Sequence, residues 1–278
     1  MNFTIFGEEG FIGRNLVRHL QAQGHTVLQP GRSGEKVAGK ELGHVIYAIG
    51  LTADFRTRPF DTVEAHVCKL AKLLTDTRFA SWLYLSSTRV YGGLSPDDIA
   101  SESKPLPVFP DLDGIYNISK LMGESLCLTH PNEKVRVVRL SNVCGYGQEH
   151  NFLASLVKEL MHSGKAVIQE APESAKDYIT LSDVLLLLEK IALLGRERIY
   201  NLASGKLVTH NELAEQLTAL TGGAIQFAEN APRRRFPLID TSRIKNEFGF
   251  IATGLYDFLP ELLVVNNPSQ ISGGVYFE

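Results

Sequence analysis

Cysteine is scarce in this chain: 278 residues contain three, Cys68, Cys127 and Cys144, far apart and outside any CxxC pair. An odd, scattered set of this kind suggests neither a disulfide framework nor a zinc site, and it fits a reducing, cytoplasmic setting. A surplus of charge is missing as well. Lys and Arg number 28 against 31 Asp and Glu, interspersed, for a net charge of -3. No basic face for nucleic acid and no polybasic patch for a membrane are therefore expected. Long apolar runs are absent: the longest, 184–194, is broken by Glu189 and Lys190, so no spanning helix is expected. Met1 leads at once into a strand-like run over 3–6 with no charged leader, so no signal peptide is expected either. No repeat of fixed period occurs, and no low-complexity tract is longer than Arg233, Arg234 and Arg235. What remains is an ordinary globular composition, 44% hydrophobic and 21% charged, able to bury one large core or one large and one small. A small molecule is the expected partner.

Short apolar or β-branched runs alternate with helical periodicity. Strands are predicted at 3–6, 25–28, 45–49, 82–85 and 135–140, with helices from Phe11, over 62–74 and over 116–128. That rhythm predicts right-handed βαβ units and an α/β fold with a doubly wound, Rossmann-type parallel sheet. After Asn142 the rhythm changes: helix 152–163, strand 166–169, a helix from Ser182, strand 199–202 and helix 209–220. We read residues 1–150, with a returning segment 173–204, as a dinucleotide-binding domain. Residues 151–172 and 205–278 then form a smaller α/β substrate lobe.

The segment GEEGFIG at 7–13 follows the first strand and opens the first helix. A turn this tight needs residues without Cβ, so that the backbone N–H groups of Gly7, Gly10, Phe11, Ile12 and Gly13 and the helix N-terminus can approach a pyrophosphate. At the end of the second strand, where an acidic residue would hold the adenosine ribose of NAD, the chain reads QPGRS at 29–33. Arg32, with Ser33, can take a 2′-phosphate, and no carboxylate stands in that segment to repel it. NADP(H) is the preferred cofactor on this reading, and NAD(H) is the alternative. No metal site is expected.

Tyr116 and Lys120 stand at i and i+4, on one face of a helix. The spacing alone is a common surface pair. It gains weight from the preceding strand, which ends in Leu85, Ser86, Ser87 and Thr88 and so delivers hydroxyls to the carboxyl edge of the sheet, where doubly wound folds bind ligands.

With these segments the chain resembles the extended short-chain dehydrogenase/reductase superfamily, in its sugar-nucleotide epimerase, dehydratase and reductase branch. The resemblance is carried by GEEGFIG at 7–13, VIYAIG at 45–50, YLSSTRVYGG at 84–93, YNISK at 116–120, VRLSNVCGYG at 138–147, KDYITLSDV at 176–184 and YNLASG at 200–205. It implies Tyr116 as general acid/base, Lys120 as its helper on the nicotinamide ribose, and Ser87 as the group that aligns the substrate carbonyl. A phenol must be lowered by about 3 pKa units to exchange protons easily near neutrality, which an adjacent ammonium can help supply. The resemblance also implies Ala48 as a cofactor contact and Asn142 as a contact to cofactor or substrate. His150, Asn151 and Arg233 fall near substrate positions of relatives, Arg233 toward a diphosphate. Cys144 replaces the usual Tyr and reads as a packing residue. Asp183 reads as helix-terminal charge. Helices 62–74 and 116–128 form a dimer bundle in relatives, so a homodimer is expected, although core packing explains Leu70, Leu73, Leu74, Leu121, Leu126 and Leu128 equally well.

Dehydratases of this branch carry an acidic pair after the catalytic hydroxyl residue. This chain has Thr88 and Arg89, so dehydration is not expected. The reading that follows is an NADPH-dependent ketoreductase of a nucleotide-activated 4-keto sugar. An NAD(P)-dependent sugar-nucleotide epimerase is its closest rival. A reductase of a non-nucleotide ketone and a non-catalytic dinucleotide-binding regulator stand behind them.

Overall fold

The computed structural model describes residues 1–31, 37, 39–111, 114–148 and 151–266. In chain order its elements are β1 (Asn2–Phe6), α1 (Phe11–Ala22), β2 (Thr26–Leu28), β3 (His44–Tyr47), α2 (Pro59–Val63), α3 (Lys69–Asp76), β4 (Ser81–Ser87), β5 (Ile99–Ala100), α4 (Gly114–Thr129), β6 (Val135–Leu140), β7 (Asn142–Cys144), α5 (Phe152–Ser163), β8 (Lys165–Ile168), β9 (Ala175–Thr180), α6 (Leu181–Leu194), β10 (Ile199–Leu202), β11 (Leu207–Thr209), α7 (His210–Thr221), β12 (Ala224–Phe227), β13 (Leu238–Ile239), α8 (Ser242–Phe248) and α9 (Leu255–Asn266).

Six strands form one parallel sheet in the order β10-β6-β4-β3-β1-β2. The chain runs outward from β1 to β2, then crosses back over β1 to β3, so the winding direction reverses between β1 and β3. Doubly wound sheets open a ligand crevice at such a reversal, beyond the carboxyl ends of the strands. The central strands are buried because helices cover both faces, and they are mostly apolar, with Ser81 and Ser86 of β4 and Arg136 and Arg139 of β6 as buried polar exceptions. Leu16, Val17 and Leu20 of α1 and Leu187, Leu188 and Ile191 of α6 seal one face. Leu70, Leu73 and Leu74 of α3 and Cys127 of α4 seal the other, against Tyr47, Trp82 and Tyr84.

A separate cluster joins Leu153, Leu156 and Leu160 of α5, Ile168 of β8, Leu213 and Leu217 of α7 and Leu259 of α9. Ile244 of α8 and Phe250, late in the sequence, pack in the first cluster with β10 rather than here. A three-stranded sheet, β11-β9-β7, and the pairs β12-β8 and β13-β5 complete the strands.

The helix predicted over 62–74 begins earlier, at Pro59, and is interrupted by a π-helical turn over Glu64–Cys68. Two tyrosine hydroxyls from the sheet draw carbonyls out of the helical ladder there. Tyr47 donates to the Ala65 carbonyl at 2.6 Å and Tyr84 to that of His66 at 3.3 Å. Side chains that insert into the i→i−4 ladder are a recognised cause of such bulges. The three cysteines are unpaired, Cys68 exposed and the other two buried. Among the described residues no helix is long and apolar enough to cross a membrane, and no cluster of His, Cys, Asp and Glu could hold a metal.

Candidate active site

The crevice at the β1/β3 reversal is a cleft of about 650 Å3. The turn after β1 forms one wall. Gly7 has φ of +88°, a conformation that L side chains rarely adopt, and its carbonyl accepts the Gly10 N–H at 3.0 Å. A Cβ on Gly13 would stand 2.0 Å from the Gly7 oxygen, so that position admits only glycine without movement of the backbone. At Gly10 a Cβ would meet nothing within 4 Å except the Gly7 oxygen at 3.3 Å, leaving this face open to the cleft. Among the described residues no side chain caps the N-terminus of α1, and its first turn contains no acidic residue. Open backbone N–H groups at the positive end of a helix suit a pyrophosphate, so the turn fits a dinucleotide. Gly10, Phe11, Ile12, Gly13 and Ala48 all line the cleft.

Arg32 and Ser33 lie outside the described residues. Their neighbour Gly31 donates its N–H to the Glu8 carboxylate at 2.7 Å. A carboxylate from elsewhere in the chain therefore stands just beyond the end of β2. The segment 29–33 has none, but Glu8, from the glycine turn 23 residues earlier, supplies one by folding.

The second wall is α4. Its buried stripe, at helical spacing, consists of Tyr116, Ser119, Lys120, Gly123, Glu124 and Cys127. A stripe this polar differs from the apolar face of a helix that only packs. Gly123 lets α4 press on β4, since a Cβ there would stand 2.4 Å from the Tyr84 hydroxyl. Tyr116 is 3% exposed, and it lines the cleft together with Ser87 and Lys120. Burial pushes the Tyr116 phenol up, while hydrogen bonding with Ser87, the Arg89 guanidinium and the Thr52 hydroxyl pull it down. Lys120 donates to the Leu85 carbonyl at 2.8 Å. Burial lowers its ammonium to about 7, against the opposing pull of Glu124. The expected roles thus meet an environment with the emphasis changed: Arg89, rather than Lys120, is the cation acting on the phenol, 4.9 Å from the ring centroid.

Beneath Tyr116 lies His66, fully buried, which the motifs did not single out. Its Nε2 accepts the Leu51 N–H at 3.3 Å, so Nδ1 carries the proton and donates to Ser119 Oγ at 2.9 Å. Ser119 in turn donates to the Tyr116 carbonyl at 3.0 Å. Burial and then Lys120 push the imidazole down to about 2, so it is neutral. A hydrogen-bonded chain therefore runs from the loop after β3 through the π-helical turn to the backbone of Tyr116. Nothing in the local sequence marks it, because its members come from three separate segments.

The third wall comes from later segments. Asn142 lines the cleft, and its amide donates to the Asp177 carbonyl at 2.8 Å. Asn151 also borders the cleft, but both ends of its amide serve the protein: Oδ1 caps α5 on the Ala154 N–H at 2.7 Å and Nδ2 donates to the Val143 carbonyl at 3.0 Å. His150 lies outside the described residues. Arg233 borders a separate shallow depression with Pro172 and Glu173, whereas Arg234 lines the cleft. The side chain that an arginine run delivers depends on a one-residue choice of facing, which the run itself does not encode. Arg234 and Lys176 both approach the Glu170 carboxylate, at 3.5 and 3.2 Å.

The Cys144 thiol is buried, contacts the Ile179 carbonyl at 3.4 Å and is pushed up to about 12 by burial. That is the environment of a packing residue. Asp183 lies in the first turn of α6, capped by Thr180, and its carboxylate accepts the Thr253 N–H at 2.8 Å and hydroxyl at 3.1 Å. Leu70, Leu73 and Leu74 are buried within the chain, leaving the dimer expectation without their support.

The sequence profile of the NAD dependent epimerase/dehydratase family matches residues 3–66 and 43–203. No curated protein matches at a significant level. Among solved structures, MoeE5 in complex with UDP-glucose and NAD is 22% identical with a TM-score of 0.78, over 92% of this chain and 95% of that one. TunA, an NAD-dependent NDP-hexosamine 5,6-dehydratase, is 21% identical with a TM-score of 0.79, over 95% and 97%. RMD from Pseudomonas aeruginosa, complexed with NADPH, is 21% identical with a TM-score of 0.74, over 96% and 99%. At these identities the likeness is one of fold.

Proposed function

The chain belongs to the NAD-dependent epimerase/dehydratase family, of the extended short-chain dehydrogenase/reductase type, and from that premise we propose that it reduces the keto group of a nucleotide-activated 4-keto sugar, with NADPH as the preferred cofactor. The observation that carries this reading is the meeting of Ser87, Tyr116 and Lys120 in the cleft that the glycine turn borders. The absence of an acidic pair after Ser87, with Arg89 stacked on Tyr116 instead, speaks against dehydration.

When bound, a nicotinamide dinucleotide supplies the hydride. Gly10, Phe11, Ile12 and Gly13 would hold its pyrophosphate on their backbone N–H groups, Ala48 lines the same cleft, and Arg32 with Ser33 would take the 2′-phosphate. Asn142 contacts cofactor or substrate from the third wall. Ser87 aligns the carbonyl oxygen. Tyr116, held in its acid form by burial, donates its phenolic proton to that oxygen as the carbon is reduced. Lys120, its ammonium lowered to about 7 by burial, lines the same cleft one helical turn from Tyr116 and would hold the nicotinamide ribose, while Arg89 is the cation that acts on the phenol. Arg234 and Lys176 take the diphosphate, displacing the internal anion Glu170.

Epimerisation is the second reading, favoured by the Glu8 carboxylate at the end of β2, which suits a ribose diol of NAD better than a 2′-phosphate. One experiment separates the two: NADPH and NADH oxidation at 340 nm with UDP-, GDP- and dTDP-linked 4-keto sugars. Stoichiometric NADPH consumption supports reduction. Sugar interconversion without net consumption of either cofactor overturns reduction, and equal efficiency with both overturns the NADPH preference.

A further inference from the structure

Glu170, in the loop after β8, stands where three segments converge. Its Oε2 lies 3.2 Å from the Lys176 ammonium of β9 and its Oε1 3.5 Å from Arg234 Nε, and all three residues line the cleft. His210, the first residue of α7, is fully buried beside them. Its ring stacks on Phe152 at 4.6 Å and 20°, and Lys176 Nζ lies 4.0 Å from the centroid of the same Phe ring. His210 Nε2 is 3.6 Å from Glu170 Oε2, just too far for a hydrogen bond. Neither nitrogen of this imidazole has a hydrogen-bond partner. An unpaired polar group in a dry interior is costly, so His210 calls for a partner in some other state of the site.

The charge balance of this cluster points the same way. Burial and then Lys176 push the imidazole down to about 4, against the pull of Glu170, so it is neutral. Two cations and one carboxylate then leave one positive charge in surplus. A diphosphate diester brings two negative charges. Placed on Lys176 and Arg234, it takes both cations from Glu170 and leaves the cluster one negative charge in surplus. A proton restores the balance, and the imidazole is the stronger base, at about 6.5 in water against about 4.3 for a Glu carboxylate. The rest of the surroundings offers no other answer. Lys176 and Glu170 are the charges that act on His210. Glu173, Lys158, Glu159 and His162 of α5, and Asp257 and Glu261 of α9 are exposed, while β11 and β12 contain no ionisable side chain. Tyr256 of α9 is raised by burial and then by Glu212 and Glu215, and Glu212 is held in a capping box with Thr209.

We propose that Glu170 is a displaceable internal anion: a diphosphate entering the cleft replaces it on Lys176 and Arg234, and its carboxylate closes onto His210, which takes up a proton from solvent and becomes its counter-charge. The proposal rests on the diphosphate position in the proposed function and adds how the site responds to it. The movement is small. Shortening 3.6 Å to a charged hydrogen bond of about 2.8 Å needs less than about 1 Å. It falls to the side chain, because the next residue is fixed by the Ala171 N–H on the Pro232 carbonyl at 3.0 Å. Glu170 thereby sets which anions the site accepts. A ligand competes with a carboxylate already in place, so a doubly charged diphosphate displaces it where a single charge does not. Binding strengthens as pH falls, down to about 4, below which the free imidazole is already charged.

The test is calorimetry on protein saturated with NADP, using UDP-glucose, GDP-glucose and dTDP-glucose, whose diphosphates exchange no proton between pH 6 and 8, in buffers of different ionisation enthalpy. Proton uptake is expected on binding, with affinity higher at pH 6 than at pH 8 by roughly threefold or more. Glu170→Gln should abolish the uptake and raise affinity at pH 8 by roughly threefold or more, because no charge then has to be displaced. His210→Phe, which keeps the stack on Phe152 and leaves no orphaned nitrogen, should abolish the uptake without that gain. Binding without proton uptake in the parent, uptake that persists in either variant, or no gain in Glu170→Gln overturns the proposal. If none of the three sugars binds, the nucleotide part of the proposed function falls, and sulfate, which also exchanges no proton in this range, decides. Sulfate binding coupled to proton uptake in the parent and not in Glu170→Gln upholds the exchange, and any other result, absence of sulfate binding included, removes it. Should His210→Phe fail to fold by circular dichroism, Glu170→Gln decides alone.

Discussion

Glu124 receives Arg139 through two nitrogens, Nη2 at 2.7 Å and Nε at 3.1 Å, with both side chains at most 5% exposed. Around this pair, Ser86 donates to Glu124 at 2.5 Å, Arg139 donates to the Tyr91 hydroxyl at 2.8 Å, and Tyr91 donates to Asn201 at 2.7 Å. The network ties β4, α4, β6 and β10 together directly under Ser87 and Lys120. Tyr91, the Tyr of the VYG element, is part of this support.

Glu124→Gln should destabilise the chain by roughly 3–5 kcal/mol, because it leaves a buried guanidinium without its counter-charge. It should also lower the Lys120 ammonium further, since Glu124 is what opposes the effect of burial there. Urea unfolding of the variant checks the first part. A loss under about 1 kcal/mol would show that the pair is dispensable.

Tyr116→Phe removes the one phenolic proton in the cleft that the proposed reaction uses. Turnover should fall by roughly 10²–10⁴, while NADPH affinity, read by fluorescence titration, changes little. Turnover within a few-fold of the parent would reassign the acid.

Gly13→Ala brings a methyl group onto the Gly7 carbonyl. The turn must open, so cofactor affinity should drop by at least tenfold with a loss of stability of roughly 1–3 kcal/mol, the range of overpacked sites. Gly24→Ala offers the comparison. A Cβ there meets nothing within 4 Å, although φ of +78° still strains it, so stability should fall and cofactor affinity should not.

Acid should weaken the fold through His66 and His210. Burial lowers them to about 2 and about 4, against 6.5 for an ordinary imidazole. Below pH 6.5 the unfolded chain takes up protons that the folded chain refuses, so stability is complete above that pH and falls as pH drops. Each buried His contributes up to about 1.4 kcal/mol per pH unit between its two values. The urea midpoint should therefore fall less between pH 7.5 and 5.0 in His66→Gln than in the parent. Parallel losses would remove His66 from the account.

Much of this architecture can be read from local pattern alone. Strands β1, β6 and β10 and helices α1 and α5 carry their own periodicity, and the glycine turn and the Tyr116/Lys120 pair announce themselves by position. What resisted reading was assembled from distant segments. Glu8 reaches Gly31 across a turn and a helix. Arg234 rather than Arg233 faces the cleft because the chain there pairs its backbone with Ser174 and Ala175. The partnership of Phe55 with Arg56 and Arg89 joins two loops with no common motif. His66 acquired its place from a π-helical turn that hydroxyls of β3 and β4 impose, which helix propensity does not register.

That turn has a consequence for how the chain can vary. An α-helix advances about 100° per residue, so the extra residue accommodated over Glu64–Cys68 sets the two helical halves out of phase with one another. Losing any one of those five residues would rotate α2 relative to α3. Either His66 would swing off Ser119, or Leu70, Leu73 and Leu74 would swing off the sheet. Substitutions in this stretch alter one contact at a time, but a change of length alters all of them together. The number of residues between Pro59 and Asp76 is thus as much a part of the cleft as the side chains that line it.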